Sequence, residues 1–245
     1  MNNPFLSIVI PAHNEASRLS PSLQKINCFL EQQDFAAEVI IVENGSHDRT
    51  YEVALEAARV SDHIRVIQSP DGVRGKGLAV KQGMLAAKGD WRFICDADLS
   101  MRIEDLAEFL PPETTGYDIV IASREAPGAV RVDEPEYRHI MGRVATFIIK
   151  LAAIPDYEDT QCGFKLFSAD AAQDLFQAQR MNGIGFDVEL LFIAKRRGYK
   201  VKELPITWYY DPYSTMRLWD DSVKLLREIW EIRRNWRLGL YERAR

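Results

Sequence analysis

Apolar runs alternate with helical patterns along the first half of the chain. Continuous apolar runs, typical of buried parallel strands, occur at residues 6–10, 39–42, 64–67, 91–95 and 117–122. The stretches between the first four runs carry apolar residues at helical spacing and predict helices over 15–30, 48–58 and 77–87. Ser46 or His47 is expected near the N-cap of the second helix. This β-α-β-α-β-α-β order predicts an α/β fold, a mainly parallel central sheet with helices on both faces.

The pattern in the second half is less regular. It predicts a short apolar segment at 163–167, one or two strands within 200–210, and helices over 137–154, 188–197 and 219–236. The last helix is amphipathic, with basic residues around a face that carries Trp219, Val223, Leu226 and Trp230. Such a helix either docks on the protein's own core or lies at a membrane interface. We expect one α/β domain over residues 1–212, followed by an amphipathic segment over 213–245 that is a candidate for membrane contact.

Composition narrows the function classes. Apolar residues make up 47% of the 245 residues, enough for a buried core. The net charge of −5 argues against nucleic acid as a partner, although local basic patches remain. Cys28, Cys95 and Cys162 are far apart, form no CxxC pair and fit a reduced cytoplasmic compartment. The first residues do not resemble a targeting segment, and no apolar run approaches about 18 residues, so we expect a soluble or peripheral protein.

Polar clusters follow several predicted strands, at 13–15, 43–46, 96–98 and 123–124. Parallel sheets bind ligands outside the carboxyl ends of their strands, so these clusters are expected to share one site. Asp96 and Asp98 lie one residue apart after a buried strand, where two carboxylates can face one cation. Mg²⁺ and Mn²⁺ prefer oxygen ligands and leave room for phosphate oxygens. A solvated turn is the alternative for an isolated DxD motif.

Basic residues suggest where anionic groups bind. Gly75, Lys76 and Gly77 form a glycine-rich turn before a helix, which suits an anion as well as it suits a flexible loop. Arg124 follows a predicted strand and is a candidate phosphate ligand, whereas for Arg131 pairing with nearby carboxylates is slightly favoured over phosphate binding.

Three charges interrupt apolar segments farther along the chain. Asp159, Lys165 and Asp187 stand beside phenylalanines in segments that are otherwise apolar. A charge in such a setting is either paired or functional. The sequence leaves both readings open.

Segments of the first half resemble a known family in order and spacing. Residues 8–15 (IVIPAHNE) resemble the IPxxNE opening of family-2 glycosyltransferases, and residues 42–50 (VENGSHDRT) resemble their VDDGSxDxT segment. Residues 75–77 (GKG) and 96–100 (DADLS) follow in the family's order. Each motif is weak alone, and the ordered set is specific.

Segments of the second half resemble one subgroup of that family. Residues 159–167 (DTQCGFKLF), 186–191 (FDVELL) and 201–208 (VKELPITW) are similar to dolichyl-phosphate glucosyltransferases and polyprenyl-phosphate hexose synthases. Two departures matter. Glu43 and Asn44 replace the usual paired aspartates, and a lysine often found before the C-terminal helix is missing, with Arg217 as a candidate substitute.

The resemblance implies a GT-A fold and a set of roles. It implies Mg²⁺ or Mn²⁺ at Asp96 and Asp98, and catalytic roles for Asp98, Asp159, Lys165 and Arg124. Acceptor-phosphate contacts are expected from Arg124, Arg131 and Arg217. The residues implied to contact the nucleotide-sugar are Pro11, Ala12, Asn14, Glu15, Glu43, Gly75, Lys76, Asp96 and Ala97.

The implied reaction is inverting transfer of a hexose from a nucleotide-sugar to a polyprenyl or dolichyl phosphate. UDP-glucose is favoured as donor over GDP-mannose on the segment that contains Gln161 and Cys162. Transfer to a soluble acceptor, such as a sugar or glycerate derivative, stays open. So does a non-catalytic nucleotide-sugar-binding module on a membrane. The expected location is the cytoplasmic face of a membrane, as a peripheral protein.

Overall fold

Seven strands form the central sheet of the computed structural model, which describes residues 3–70, 74–136, 139, 154–211 and 218–242. The strands are β1 (Leu6–Ala12), β2 (Ala37–Glu43), β3 (Ile64–Gln68), β4 (Trp91–Ile94), β5 (Ile119–Ser123), β7 (Lys165–Ser168) and β8 (Val201–Pro205). Along the sheet the order is β3-β2-β1-β4-β7-β5-β8. A separate pair, β6 (Val130–Val132) and β9 (Thr207–Tyr209), forms a small parallel sheet.

Six α-helices are described. They are α1 (Ala16–Leu30), α2 (Thr50–Val60), α3 (Lys76–Ala86), α4 (Ala169–Ala178), α5 (Phe186–Arg196) and α6 (Leu218–Arg237). A 3₁₀ helix covers Ile103–Phe109.

Two apolar cores, one on each face, hold the helices to the sheet. Successive strand residues point to opposite faces. Val9 of β1 therefore lies in the core that includes α3, α4, α5 and α6, whereas Ile8 and Ile10 lie in the core that includes α1 and the 3₁₀ helix. The prediction of a mainly parallel sheet with helices on both faces is confirmed.

The strand β7 is the exception to the parallel order. It runs antiparallel to both β4 and β5, and the other neighbouring pairs in the sheet are parallel. The sequence predicted this stretch only as a short apolar segment. Because β7 runs in the opposite direction, its first residue, Lys165, pairs with Ile94 and Ile121 near the carboxyl ends of β4 and β5. This places Lys165 at the edge where the polar clusters lie.

Some predicted boundaries are corrected. The N-cap of α2 is Arg49, not Ser46 or His47, and Asp48 rather than a cap side chain accepts a hydrogen bond from the Thr50 amide, 3.0 Å away. The stretch 200–210 forms two strands, β8 and β9, in different sheets. The predicted helix over 137–154 falls almost wholly outside the described residues.

Candidate active site

The carboxyl ends of β1, β2, β4 and β5 meet at one edge of the sheet, and the predicted site residues follow them. Asp96 and Asp98 come two and four residues after β4, and Arg124 comes directly after β5. Glu43 is the last residue of β2, and Glu15 follows β1. The structure therefore brings together residues that are far apart in the chain.

A tight turn presents Asp96 and Asp98. The amide of Leu99 donates to the Asp96 carbonyl oxygen at 3.2 Å, and Leu99 has a φ of 47°. The Ser100 amide donates to Asp98 Oδ1 at 3.1 Å. From α1, Ser22 Oγ donates to the Ala97 carbonyl oxygen at 2.6 Å and fixes the turn against the domain.

Three carboxylates at this turn interact unfavourably with one another. Burial raises the pKa of Asp98, and the neighbouring Asp96 raises it further. Burial also raises the pKa of Glu15; Arg18 opposes this, and Asp98 and Asp96 add to it. Such a cluster of acidic side chains favours a bound cation.

Lys76 supplies one positive charge to this cluster. It is the first residue of α3, and its Nζ lies 2.7 Å from Asp96 Oδ1. Burial alone would lower the pKa of Lys76, but Asp96, Asp187 and Asp98 raise it above its ordinary value. Lys76 is therefore protonated at physiological pH.

Gly163 leaves room for the Asp96 carboxylate. A Cβ on Gly163 would lie 1.9 Å from Asp96 Oδ2, closer than any real contact. The rotamer of Asp96 that faces Lys76 thus depends on the absence of a side chain at Gly163.

The two aspartates fit a divalent cation that a substrate helps to hold. Within the described part of the chain, no group of three or more His, Cys, Asp or Glu side chains could hold a metal ion. Mg²⁺ is usually bound by one or two carboxylates, with waters and substrate phosphates as the other ligands. Asp96 and Asp98 provide such a pair, and a cation between them would offset the charge repulsion from Asp96 that, together with burial, raises the pKa of Asp98.

The loops after β1 and β2 form the neighbouring part of the site. The Asn14 amide donates to Ser46 Oγ at 3.0 Å, and the His47 amide donates to Asn14 Oδ1 at 2.8 Å. Asn14 itself has a φ of 57°. Pro11 and Ala12 end β1 directly before this junction. The structure therefore joins Asn14 to the loop after β2, whereas Ala12 is buried.

Two acidic side chains of this region already have partners. Glu43 is buried and accepts a hydrogen bond from the Ser46 amide at 2.5 Å. Glu15 forms a two-point ion pair with Arg18, with distances of 2.6 and 2.9 Å, and Arg18 also contacts Asp211 at 2.5 Å. The sequence did not single out Arg18, because its partner Asp211 is distant in the chain.

Arg124 and Asp159 form a buried two-point ion pair. Nε donates to Oδ2 at 2.6 Å and Nη2 to Oδ1 at 3.0 Å, and the Arg124 amide donates to Oδ2 at 3.1 Å. Burial would raise the pKa of Asp159, but the Arg124 guanidinium overcomes this and lowers it to about 2. The Asp159 carboxylate is therefore ionised, and besides the bonds from Arg124 it accepts one from the Gln161 amide at 3.0 Å.

Trp208 connects the two predicted acceptor arginines. The guanidinium carbons of Arg124 and Arg131 lie 5.5 and 5.8 Å from the centre of its ring. Arg131 also pairs with Glu125 at 2.5 Å and Glu134 at 2.6 Å. The sequence did not single out Trp208 as a site residue, since cation–π partners leave no sequence signal.

The small β6–β9 sheet connects these arginines to the segment that follows the Asp96–Asp98 turn. The Tyr209 amide donates to the Ser100 carbonyl oxygen at 2.8 Å, and Met101 forms a bridge with Trp208. Arg217, the third predicted acceptor contact, lies outside the described residues.

Lys165 lies inside the protein and not on its surface. Its side chain is fully buried, and its Nζ donates to Asp187 Oδ1 at 2.7 Å and to the Cys162 carbonyl oxygen. Burial raises the pKa of Asp187, while Lys165 and Lys76 act against this. Of the two readings left open by the sequence, ion pairing is what the structure shows for Asp159, Lys165 and Asp187. Asp187 was not among the predicted site residues, yet it lies close enough to influence Lys76.

The C-terminal helix α6 presents two different faces. Leu225, Ile229 and Ile232 are buried in the core, whereas Trp230 is 65% exposed and Leu226 is 44% exposed. Both readings of this helix therefore have a structural basis, since one face docks on the core and another stays apolar and exposed. In the described part of the chain, no helix combines the length and the apolar character needed to cross a bilayer.

Known protein sequences match most of this chain. A family model described as Glycosyl transferase family 2 matches residues 7–176. The dolichyl-phosphate beta-glucosyltransferase ALG5C of Trichomonas vaginalis is 33% identical over 248 residues, covering 97% of this chain and 73% of that protein. The dolichyl-phosphate beta-glucosyltransferase of Saccharomyces cerevisiae is 30% identical over 256 residues, covering 97% of this chain and 76% of that protein.

A solved structure shares the fold. Glucosyl-3-phosphoglycerate synthase from Mycobacterium tuberculosis, in complex with Mn²⁺, UDP-glucose and phosphoglyceric acid, superposes with a TM-score of 0.65 at 17% identity. The match covers 94% of this chain and 79% of that one. This likeness confirms the predicted GT-A fold, and the family match spans Lys76, Asp96 and Asp98.

Proposed function

Since the chain belongs to glycosyl transferase family 2, we propose that it transfers a hexose from a nucleotide-sugar to a polyprenyl phosphate, with inversion at the anomeric carbon. The observation that carries this proposal is the Asp96–Asp98 turn, with the protonated Lys76 beside it at the carboxyl ends of the strands. The acceptor and the sugar are supported by relatives named dolichyl-phosphate beta-glucosyltransferases.

On the donor side, the proposed position of the diphosphate is between Lys76 and the Asp96–Asp98 turn. A divalent cation, Mg²⁺ or Mn²⁺, held by Asp96 and Asp98 would supply positive charge to the diphosphate as it leaves. Lys76 adds a charge that requires no reorganisation, because Asp96 already holds it in position. The residues proposed to line the rest of the donor site are Pro11, Ala12, Asn14, Glu15, Glu43, Gly75 and Ala97.

On the acceptor side, a phosphate monoester needs little activation. Its second pKa is near 6, so it is largely dianionic at neutral pH and is itself a nucleophile. A phosphate oxygen attacks the anomeric carbon, and the bond from that carbon to the nucleoside diphosphate breaks. With a pKa of about 2, Asp159 is a poor base. Its proposed role is to hold Arg124, which with Arg131 and Arg217 would bind the acceptor phosphate.

The sugar and base are proposed as glucose and uridine, with GDP-mannose as the alternative. The test is to incubate the purified chain with UDP-glucose or GDP-mannose, MgCl₂ or MnCl₂, and a short polyprenyl phosphate in detergent. Radiolabelled sugar should pass into the organic phase with one donor only. A parallel reaction with 3-phosphoglycerate separates lipid acceptors from soluble ones. If nucleotide binds but no acceptor receives sugar, the binding-module alternative replaces this proposal.

The exposed face of α6 is proposed to contact the membrane that holds the acceptor. Trp230 and Leu226 are exposed, and the Arg234 guanidinium lies 5.7 Å from the Trp230 ring centre. Tryptophan beside basic side chains suits the interface of an anionic bilayer. We also propose, from the sequence, that this peripheral attachment is at the cytoplasmic face.

A further inference from the structure

The turn that carries Lys76 is shaped by the main chain of a loop from the second half of the protein. A Cβ on Gly75 would lie 2.1 Å from the Asn182 carbonyl oxygen, and Gly75 has a φ of 149°. A Cβ on Gly77 would lie 2.7 Å from the Met181 carbonyl oxygen. The backbone of the lysine turn and the loop 179–185 between α4 and α5 are thus in direct contact.

Hydrogen bonds join the same two segments. The Leu78 amide donates to the Asn182 carbonyl oxygen at 3.3 Å. Gln179 is buried, and its Nε2 donates to the Gly77 carbonyl oxygen at 2.8 Å and to that of Met181 at 2.7 Å. A shift of the loop would therefore move the start of α3, where Lys76 lies.

Glu189 of α5 holds this loop from the other side. Its side chain is fully buried, and its carboxylate accepts hydrogen bonds from the Arg180 amide at 3.0 Å, the Met181 amide at 2.8 Å and Tyr241 Oη at 2.6 Å. Burying a carboxylate among neutral hydrogen-bond donors costs desolvation free energy. A purely space-filling role would therefore not explain why a glutamate stands at this position.

Tyr241 brings the end of the described chain into this arrangement. The ring is buried, and Asn235 Nδ2 donates to its hydroxyl at 3.3 Å. Arg197 Nη2 donates to the Tyr241 carbonyl oxygen at 2.6 Å, and Arg180 Nε donates to that of Leu240 at 3.2 Å. The segment after α6 is therefore fastened to the loop that touches the lysine turn.

We propose that Glu189 and Tyr241 are positioning residues for the donor diphosphate, acting through the loop 179–183 on the turn that presents Lys76. This inference rests on the proposed function, because it assigns Lys76 to the donor. Tyr241 follows the C-terminal helix and makes no direct contact with the residues proposed to bind substrate, yet this inference gives it a role in donor binding.

The test makes small changes to the two side chains and measures the affinity of the protein for nucleotides. Tyr241→Phe keeps the ring and deletes only the hydroxyl that donates to Glu189. Affinity for UDP and for GDP, each with MgCl₂, is measured by calorimetry on the full chain. We expect Tyr241→Phe to weaken binding of the nucleotide that wild type prefers by roughly three- to tenfold, the loss of about one hydrogen bond. Glu189→Gln, which also disturbs two amide partners, should weaken it further.

A matched control and a coupling measurement separate positioning from general stability. Tyr199→Phe removes a similar bond, from the Tyr199 hydroxyl to Asp174 Oδ2 at 2.7 Å, in which neither Glu189 nor a residue of the loop takes part. This variant should leave nucleotide affinity within about twofold. In a Lys76→Met background, Tyr241→Phe should also change affinity by less than about twofold, because coupled residues are not additive. Equal weakening by Tyr241→Phe in both backgrounds, or none in either, would overturn the proposal.

Hydrogen exchange gives a readout that does not depend on the nucleotide. Amides at 76–84 and 180–183 should exchange faster in Tyr241→Phe than in wild type, and at unchanged rates in Tyr199→Phe. If wild type binds neither UDP nor GDP, the proposed function fails and the donor role of Glu189 fails with it. If exchange at 76–84 is unchanged in Tyr241→Phe, the link between Tyr241 and the lysine turn is wrong even where the proposed function holds.

Discussion

Among single residues, Asp98 carries a charge that is proposed to hold a metal ion and that is expected to cost stability. Burial and the nearby Asp96 raise the pKa of its carboxyl group, so its ionised form is unfavourable without a cation. Asp98→Asn keeps an oxygen for the Ser100 amide and removes this charge. We expect transfer to fall by at least about a hundredfold, the several kcal/mol that a metal contributes to charge stabilisation. The melting temperature without metal should stay equal or rise slightly.

The measurements are transferase activity with MnCl₂ and a thermal melt in EDTA. Asp105→Asn is a suitable control, because Asp105 pairs with the exposed Arg102 in the 3₁₀ helix, away from the turn. Near-normal turnover in Asp98→Asn would show that the carboxylate is not a metal ligand.

Gly163 tests whether the position of Asp96 matters. The backbone of Gly163 lies outside the left-handed region, so alanine is tolerated there by the chain itself, but its Cβ would lie 1.9 Å from Asp96 Oδ2. In Gly163→Ala the carboxylate must turn away from Lys76. We expect activity to fall by at least about tenfold and stability to fall by about 1–3 kcal/mol, as for other overpacked sites. Denaturant unfolding and donor KM measure the two effects, and a fully active variant would show that Asp96 needs no fixed rotamer.

Among the secondary-structure elements, α6 separates stability from membrane contact on two of its faces. Ile232 is fully buried, so Ile232→Ala should cost about 2–4 kcal/mol of unfolding free energy. Trp230 is 65% exposed, so Trp230→Ala should change stability by less than about 0.5 kcal/mol. The same Trp230→Ala variant should bind vesicles of anionic phospholipid several-fold more weakly than wild type. Urea unfolding and vesicle sedimentation give the two readouts. Equal vesicle binding by both proteins would remove Trp230 from the interface.

The elements also show what a single sequence can and cannot predict. The strands β1 to β5 and the first three helices were predicted because their apolar patterns are local and strong. The four-residue strand β7 was seen only as an apolar segment, since its antiparallel insertion depends on β4 and β5, which are distant in the chain. Short elements whose partners are remote carry little pattern of their own.

The same limit applies to the site. The Asp96–Asp98 turn and Lys76 could be expected from motifs at strand ends. The pairing of the charged residues could not be predicted, because Arg124 and Asp159 are 35 residues apart and Lys165 and Asp187 are 22 residues apart. The sequence suggested catalytic roles for Asp159 and Lys165, whereas the geometry shows both engaged in buried ion pairs. Their assignment to catalysis stays a prediction.

For the molecule as a whole, stability depends on ion pairs that join its parts. Arg124 and Asp159 connect the end of β5 to the segment before β7, and Lys165 and Asp187 connect β7 to α5. Breaking a buried pair from one side leaves an uncompensated charge, which typically costs about 3–5 kcal/mol. The candidate site at this edge of the sheet and the stability of the domain therefore depend on the same side chains.

Acid pH should remove the contribution of the Arg124–Asp159 ion pair to folding stability over a defined pH range. The pKa of Asp159 is 3.8 in an unfolded reference and about 2 in the folded protein, because of Arg124. A lowered carboxyl pKa stabilises the fold above the unfolded value and loses that effect as pH falls towards the folded value. At 1.36 kcal/mol per pKa unit, the difference amounts to about 2 kcal/mol, lost between about pH 4 and pH 2. Urea unfolding of wild type and Asp159→Asn at pH 5, 4, 3 and 2 measures this. Asparagine does not titrate, so the stability gap between the two proteins should shrink by about 2 kcal/mol over that range. A constant gap would mean that Arg124 does not hold the Asp159 charge in solution, and that the arginine is free to bind another anion.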